Sequence, residues 1–108
     1  MEYISYEEFS KLDIRVAKII HAERIVGYKK IVKARVDLGY EERELVVGGA
    51  EYYKPEDLID KIVIMLVNLK PRKIAGIESQ GMLLAADVND KPIWLTVDGD
   101  VPLGSKIK

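Results

Sequence analysis

Strict alternation of apolar and polar residues over VKARVDL, residues 32–38, limits most strongly how this chain can fold. Side chains alternate between the two faces of an extended strand, so one face of this segment is apolar and the other is charged. The apolar face carries Val32, Ala34, Val36 and Leu38. A turn at 39–42 leads into a second extended run, RELVVG. The pattern predicts an antiparallel hairpin that buries one face and exposes the other.

Four other segments also predict extended structure. Residues 13–25, DIRVAKIIHAERI, are rich in Ile and Val and predict a long strand with a bulge or bend at Lys18. Residues 62–68, IVIMLVN, are apolar on both faces, which is typical of a central strand. MLLAADV and PIWLTV predict two more strands. Asp98-Gly99 predicts a tight turn, and the final DVPLGSKIK predicts an extended tail or edge strand.

Two short helices are expected. Ser5 and Glu8 have the spacing of a capping box, so a helix should begin there, with Phe9 and Leu12 on its apolar side. In KPEDLIDK, residues 54–61, Pro55 suits the first turn of a second short helix. The acidic residues that follow it would lie at the positive end of the helix dipole.

The order of these elements predicts the fold class. A strand meander with a short helix after the third strand is the order of an OB-fold, an all-β, five-stranded, partly open barrel. We therefore expect an OB-fold with a short helix between strands 3 and 4, a short N-terminal helix and extra C-terminal strands. Residues 1–108 contain no internal repeat, low-complexity tract or linker, so we expect a single domain.

The charges are segregated, although the net charge is only −1. Residues 11–35 carry a net +6, residues 36–60 a net −6 and residues 61–80 a net +3. A fold that brings the two basic segments together would have one positive face on a neutral protein. Judged by the charge pattern alone, however, the basic and acidic segments are better interpreted as ordinary solvated faces.

Several classes of function have no support in the sequence. There is no cysteine and only one histidine, His21, so neither a disulfide nor a zinc or iron site is expected. We find no P-loop, no G-x-G-x-x-G and no G-x-S-x-G motif. We expect no catalysis and no cofactor, although a carboxylate-based enzyme stays open as an alternative. With no leader and no apolar run long enough to span a membrane, we expect a cytoplasmic protein.

A basic segment follows the apolar strand at 62–68. Lys70, Arg72 and Lys73 lie within four residues, and Pro71 restricts the backbone between them. We expect a stiff loop from Lys70 to Gln80, suited to phosphate contacts because little conformational freedom is lost on binding. Lys33 and Arg35, on the polar face of their strand, could widen the same positive surface. Bases could also stack on tyrosines, although surface packing is their commoner role: Tyr28, Tyr40, Tyr52 and Tyr53.

A resemblance to a known family covers roughly the whole chain. NLKPRKIAGIESQGMLLAA, residues 68–86, resembles the signature of the structure-specific tRNA-binding domain family. That family includes the C-terminal extension, or detached β subunit, of methionyl-tRNA synthetase. DIRVAKI looks like the family's first strand, and VDLGYEERELVVGGAEYYKPEDLIDK is similar to its second hairpin and short helix.

The resemblance implies a function and a set of residues. It implies a non-catalytic OB-fold homodimer, joined through the N-terminal helix and C-terminal strands, that binds the outside of the tRNA elbow by shape and phosphate contacts. It also implies a β-subunit-like role beside methionyl-tRNA synthetase. The family's contact positions fall on Asn68, Lys70, Arg72, Lys73, Ser79, Gln80 and Met82. As the first residue of a predicted strand, Met82 would by default be core, and Ser79 and Gln80 could be simple turn residues.

The chain departs from the family pattern in three places. Ala75 stands where the family usually has an arginine, and Gly48 replaces a serine. Residues 21–31 lack the usual proline and aspartate. YKPEDLIDK and PRKIAGIES also resemble the CsaA-type chaperones, which bind unfolded preproteins. Those chaperones typically lose the Q-G-M element that this chain keeps, which favours tRNA.

Overall fold

The computed structural model describes residues 1–108, in which nine strands and two short helices follow one another along the chain. The elements, in chain order, are α1 Tyr6–Ser10, β1 Ile14–Arg24, β2 Ile31–Asp37, β3 Glu42–Gly48, α2 Pro55–Leu58, β4 Ile62–Leu66, β5 Arg72–Ile74, β6 Ile77–Ser79, β7 Met82–Leu83, β8 Ala85–Val88 and β9 Lys91–Trp94.

Five of the strands form a nearly closed barrel. Their order is β3-β2-β1-β4-β7, with every neighbouring pair antiparallel. The gap between the first and last strands is bridged where the Val46 amide donates to Ser79 Oγ (3.0 Å) and the Gln80 amide to the Glu44 carbonyl (3.0 Å). The predicted OB-fold is confirmed, with α2 between the third and fourth strands.

The apolar side chains of residues 32–38 lie at the centre of the core. The four apolar side chains predicted to share a face are all at most 1% exposed: Val32, Ala34, Val36 and Leu38. They pack with Ile19, Leu45, Leu58 and Met65 in the main apolar cluster. Burying the valine and leucine side chains contributes about 1.5 to 3 kcal/mol each, which fixes the register of the hairpin.

Strand β1 buries residues on both of its faces, since Ala17, Ile19 and Ala22 belong to the main apolar cluster and Ile14 and Val16 do not. The register between β1 and β2 shifts between Ile19 and His21, one or two residues beyond the predicted position at Lys18. Before the shift, Ile14 and Val16 pack with Ile64 in a second, smaller apolar cluster, which Phe9 and Ile107 cover. The N-terminal helix and the chain end are therefore attached to the barrel through this second cluster.

Both helices form as predicted. Ser5 Oγ accepts a hydrogen bond from the Glu8 amide (3.0 Å), and Glu8 Oε1 accepts one from the Ser5 amide (3.1 Å). Pro55 is the first residue of α2, whose Leu58 is buried in the main cluster. Neither helix has the length or apolar character that a membrane span would need.

The prediction of a loop from Lys70 to Gln80 is wrong, because β5 and β6 form a hairpin there. Arg72 pairs with Ser79, Lys73 with Glu78 and Ile74 with Ile77. Ala75 (φ 54°) and Gly76 (φ 77°) form its two-residue turn. Two left-handed residues are the requirement of the turn type that matches the twist of a hairpin, so the glycine that suggested a loop in fact closes two strands.

The C-terminal strands also differ from expectation. MLLAADV is not one strand, because it divides at Leu84 into β7 in the barrel and β8 in a separate hairpin with β9. Leu84 donates its amide to the Ile64 carbonyl, and its own carbonyl accepts from Leu95. The tight turn of this region lies at Asn89-Asp90 (φ 51° and 69°), whereas Asp98-Gly99 is a bend outside any hairpin.

Candidate nucleic-acid interface

The hairpin formed by β5 and β6, with Lys70 and Pro71 before it, is called the basic hairpin below. Its three cationic side chains, on Lys70, Arg72 and Lys73, are all exposed. None of them takes part in any of the six ion pairs of the structure. Exposed cations without carboxylate partners are available to contact an anion such as a phosphate group.

Beneath the hairpin lies a groove of about 340 Å³, called the basic groove below. Its lining includes Lys70, Pro71 and Arg72 together with Val46 of β3 and Met82. The groove therefore combines cationic and apolar side chains in one lining. This combination suits a nucleic-acid strand, whose phosphates are charged and whose bases and sugars are partly apolar.

Ser79 holds the hairpin against the barrel. Its side chain is only 6% exposed, and its hydroxyl accepts from the Val46 amide and donates to the Gly81 carbonyl (3.5 Å). Gln80 adds a second attachment, since its amide side-chain oxygen accepts from the Glu44 amide (3.4 Å). Both residues therefore position the basic hairpin, and Ser79 is not exposed enough to be a contact without rearrangement.

Arg43 is a residue that sequence reasoning missed. Its Nη1 donates to the Val67 carbonyl (2.7 Å), just before the hairpin, and to the Gln80 carbonyl (3.4 Å), just after it. Its Nη2 pairs with Glu41 (3.2 Å). One guanidinium thus joins the two ends of the basic segment. In the sequence, an arginine among the acids of EERE is the only hint of this function.

The Q-G-M element has a steric explanation. Gly81 has a φ of 128°, and a Cβ there would collide with Met65 Cε and lie 2.9 Å from the Leu66 carbonyl oxygen. Only glycine fits where the chain crosses this close to β4. The crossing turns Met82 outward, so that its side chain is 46% exposed. Met82 is therefore not a core residue, and its contact with RNA stays a prediction.

Both ends of the Asn68 amide make a hydrogen bond within the protein. Its Oδ1 accepts from the Asp13 amide (2.8 Å), and its Nδ2 donates to the Lys11 carbonyl (2.7 Å). The side chain therefore ties the segment after α1 to the end of β4. This geometry favours a structural role for Asn68 over the RNA contact that the resemblance implies.

Lys33 and Arg35 lie on the same outer face as the basic hairpin but are already paired. They stand opposite Val46 and Glu44 of β3, the residues to which Ser79 and Gln80 attach. Lys33 Nζ lies 2.8 Å from Glu23 Oε1, and Arg35 Nε lies 2.7 Å from Glu42 Oε1. The hydrogen bond from Lys33 lowers the pKa of Glu23, and that to Glu23 raises the pKa of Lys33.

The tyrosines do not line the basic groove. Tyr40 lies under the Arg15 guanidinium (5.5 Å to the ring centroid), and Tyr53 donates its hydroxyl to the Pro92 carbonyl (2.6 Å). Tyr52 has the Lys91 ammonium 5.9 Å from its ring centroid. These contacts are those of surface packing, which was the commoner role expected for them. No group of three His, Asp or Glu side chains is arranged to hold a metal ion.

Comparisons with known proteins bear on this interface. A family model described as "Putative tRNA binding domain" matches residues 14–106. The methionine–tRNA ligase of Thermotoga maritima is 47% identical over 104 residues, which are 96% of this chain and 16% of that enzyme. The chain thus spans about one sixth of the length of the curated relatives it matches.

Solved structures are similar over the whole chain. A crystal structure of a "MetRS related protein" from Pyrococcus horikoshii is 42% identical with a TM-score of 0.93, and each chain is covered completely. The chaperone CsaA from Bacillus anthracis is 26% identical with a TM-score of 0.88, over 99% of this chain and 100% of that one. The signature that resembled a tRNA-binding domain lies within the matched residues. The chain belongs to the tRNA-binding domain family, which is related to the C-terminal domain of methionyl-tRNA synthetase.

Proposed function

We propose that this protein binds tRNA without catalysing a reaction on it, with the basic hairpin and basic groove against the outside of the tRNA elbow. The observation that carries the proposal is the state of Lys70, Arg72 and Lys73. All three are exposed and free of carboxylate partners, on a hairpin attached to the barrel at both ends.

The cations of the basic hairpin favour recognition of shape over recognition of base sequence. Phosphate contacts position a protein on a nucleic acid but carry no sequence information of their own. A fixed hairpin places its cations at fixed separations, so only a backbone of matching curvature can meet all of them. The folded elbow of tRNA is such a curved surface, common to tRNAs of different sequence, which is why we prefer it to linear RNA.

Methionyl-tRNA synthetase is the partner that the relatives suggest. Because the chain corresponds to about one sixth of those enzymes, we propose that it supplies the tRNA-binding function of a β-subunit-like factor and that the synthetase supplies catalysis. A second tRNA contact linked to the enzyme would raise the effective concentration of tRNA at the active site. The cytoplasmic location predicted from the sequence fits this partner.

We further propose that two copies associate through α1 and the chain end. Several large apolar side chains near α1 are exposed: Tyr3 (88%), Ile4 (66%), Tyr6 (78%) and Leu12 (39%). Tyr6, Phe9 and Leu12 also line a small cleft with Ile107. A contiguous exposed apolar surface on a small protein commonly marks an interface, and a homodimer is the simplest assembly that covers it. Sedimentation equilibrium of the wild type and of a Tyr3→Ser/Tyr6→Ser variant tests it, and a monomeric wild type would refute it.

The direct test is filter binding of unfractionated tRNA over a series of salt concentrations. Each phosphate contact should contribute about 0.7 to 0.9 to the slope of log affinity against log salt. We expect binding to tRNA that exceeds binding to linear RNA of the same length at every salt concentration. No binding at low salt, or equal binding to heparin, would refute the proposal.

A second candidate is a CsaA-like chaperone that binds unfolded polypeptide, which the likeness to the Bacillus anthracis structure supports. The same filter assay separates the two functions if a reduced, unfolded protein is added as competitor. Displacement of tRNA by that competitor, with binding of the competitor unaffected by loss of Arg72 and Lys73, would favour the chaperone.

A further inference from the structure

A second groove, about 410 Å³ in volume, lies on the other side of Met82 and is not accounted for by phosphate binding. It is lined by Gly48 and Gly49 at the end of β3, by residues 82–87, and by Asp90, Pro92 and Trp94. Met82 lines both this groove and the basic groove. We call it the Trp94 groove. A nucleic-acid strand whose phosphates lie along the basic hairpin would pass its entrance.

The walls of the Trp94 groove suit a flat, partly apolar group. Gly48 presents bare backbone with no atom packed on it, so an occupant can approach the end of β3 there, whereas Pro92 already packs against Gly49. Met82 offers a polarizable thioether, which packs well against aromatic rings. The indole Nε1 of Trp94 is buried and has no hydrogen-bond partner. Buried donors nearly always have an acceptor, and the indole packs against the main apolar cluster and Tyr53. The carbonyl oxygen of an occupant would therefore complete the groove once the indole edge turns toward it.

The charges of the two grooves are opposite. Lys70 and Arg72 line the basic groove, whereas the only ionisable side chains of the Trp94 groove are Asp87 and Asp90. Asp87 and Trp94 point to the same face of the β8–β9 hairpin, since their cross-strand partners are Pro92 and Ala85. Carboxylates repel phosphate but accept hydrogen bonds from the N–H groups of a base. The occupant should therefore be a base and not the backbone.

We propose that the Trp94 groove takes one unpaired base of the bound RNA and that guanine fits it best. Guanine carries two adjacent N–H donor groups and a carbonyl oxygen on one edge, the complement of a carboxylate beside an indole N–H. Unpaired RNA bases are commonly read in this way, by stacking and by hydrogen bonds to the exposed edge. The proposal rests on the proposed function, because the RNA has to be held by the basic hairpin first.

Whether tRNA affinity rises or falls when the two carboxylates are neutralised distinguishes this proposal from simple electrostatics. The Asp87→Asn/Asp90→Asn variant removes two negative charges beside a polyanion, which by itself should strengthen tRNA binding. If the carboxylates accept hydrogen bonds from a base, tRNA affinity should instead fall by about fivefold, because charge-assisted bonds are lost. The turn should still fold in this variant. Asparagine at 87 keeps the side-chain oxygen that accepts from the amide of residue 90 (2.9 Å), and asparagine at 90 tolerates the left-handed backbone there.

A matched control has the same charge change elsewhere. Asp98 and Asp100 line a different cleft, and Asp98→Asn/Asp100→Asn should leave tRNA affinity unchanged or slightly higher. Tighter binding by both variants would overturn the base-binding proposal while the tRNA-binding function stands. No tRNA binding by the wild type would instead refute the proposed function itself, so the two failures are distinguishable.

Trp94 is also the only tryptophan of the chain, so its fluorescence reports on this groove alone. We expect saturable quenching by GMP, excited at the red edge of the indole absorption to avoid absorption by the base. Inosine monophosphate, which lacks the 2-amino group, and AMP should quench several-fold more weakly, and the Asp87→Asn/Asp90→Asn variant should lose the difference. Equal quenching by all nucleotides, or none at millimolar GMP by a protein that binds tRNA, would overturn the proposal.

Discussion

Two groups of cationic side chains lie on the outer face of the barrel, and they differ in what already holds them. Lys70, Arg72 and Lys73 of the basic hairpin have no carboxylate partner. Lys33 and Arg35 of β2 are held by Glu23 and Glu42 at 2.8 and 2.7 Å. Both groups are close to the same strand, β3.

The difference shows that location on a binding face does not make a charge available. A phosphate that approaches Lys33 has to compete with the Glu23 carboxylate, and the gain is the difference between two ion pairs in water, which is small. A phosphate that approaches Arg72 displaces only water. We therefore expect the hairpin cations to supply most of the affinity and the β2 cations to supply little. Four predictions follow from this contrast, in order of decreasing effect.

Loss of the unpaired cations should have the largest effect. For Arg72→Ala/Lys73→Ala we expect tRNA affinity to fall by about 10- to 100-fold, since two charge-assisted contacts are lost. The salt slope should become shallower by about 1.4 to 1.8. The melting temperature should hardly change, because exposed cations contribute little to stability. Filter binding and thermal denaturation measure these quantities.

The matched control removes two lysines outside the basic groove, Lys54→Ala/Lys61→Ala, which gives the same change in net charge. Both lysines are exposed and free of ion pairs, as the hairpin cations are. An equal loss of affinity in the control would mean that total charge, and not the basic hairpin, determines binding. A large fall in melting temperature for Arg72→Ala/Lys73→Ala would mean that these side chains are structural.

Arg43 tests whether the hairpin must also be held in place. Arg43→Met keeps the length of the side chain but leaves the Val67 and Gln80 carbonyls without their donor. We expect a loss of about 1 to 3 kcal/mol in the free energy of unfolding and a fall of about tenfold in tRNA affinity. The salt slope should change less than in the Arg72→Ala/Lys73→Ala variant, because the cations remain. Partial recovery of affinity in Arg43→Lys, without recovery of stability, would indicate an electrostatic role instead.

Release of the paired cations should have a smaller effect of the opposite sign. Glu23→Gln/Glu42→Gln frees Lys33 and Arg35, and we expect tRNA affinity at low salt to rise by about two- to fivefold. Glu51→Gln/Glu56→Gln is the control with equal charge change at exposed carboxylates that have no ion pair. If the two variants bind tRNA equally, the pairing of Lys33 and Arg35 has no bearing on affinity.

The sequence predicted the parts of this contrast that depend on periodicity. Residues 32–38 revealed which side chains are core and which are outside, because apolar burial and strand geometry act on every second residue. The capping box and Pro55 marked both helices, since capping is a local interaction. The cluster Lys70, Arg72 and Lys73 was visible as a basic segment because its members are close in sequence.

The parts that depend on contacts distant in sequence were not predictable. Glu23 meets Lys33 only after β1 and β2 have paired in register. Arg43 reaches Val67 and Gln80 only after the five-stranded barrel has closed. Ala75 gives no sign of a left-handed turn, which is why the hairpin was expected to be a loop. Asn68 and Ser79 belong to the signature, yet both accept hydrogen bonds within the protein, from the Asp13 and Val46 amides. A sequence signature can therefore include residues that position a site as well as residues that contact a ligand.

The smallest effect concerns the pH dependence of the Glu23–Lys33 pair. The pKa of Glu23 lies below 4.5 because Lys33 hydrogen-bonds to it, so its contribution to stability is present above 4.5 and is lost as the pH falls through the folded pKa. The pKa of Lys33 is raised above 10.5 by Glu23, so its contribution is present below 10.5 and is lost as the pH rises through the folded pKa. Lys33→Ala should return the pKa of Glu23 toward 4.5, and an NMR titration of the Glu23 carboxyl carbon measures it. The shift should persist at low salt and shrink at high salt, since both side chains are in contact with solvent. An unshifted Glu23 in the wild type would mean that the pair does not form in solution, in which case Lys33 is as available to phosphate as the hairpin cations and Lys33→Ala should weaken tRNA binding to a similar degree.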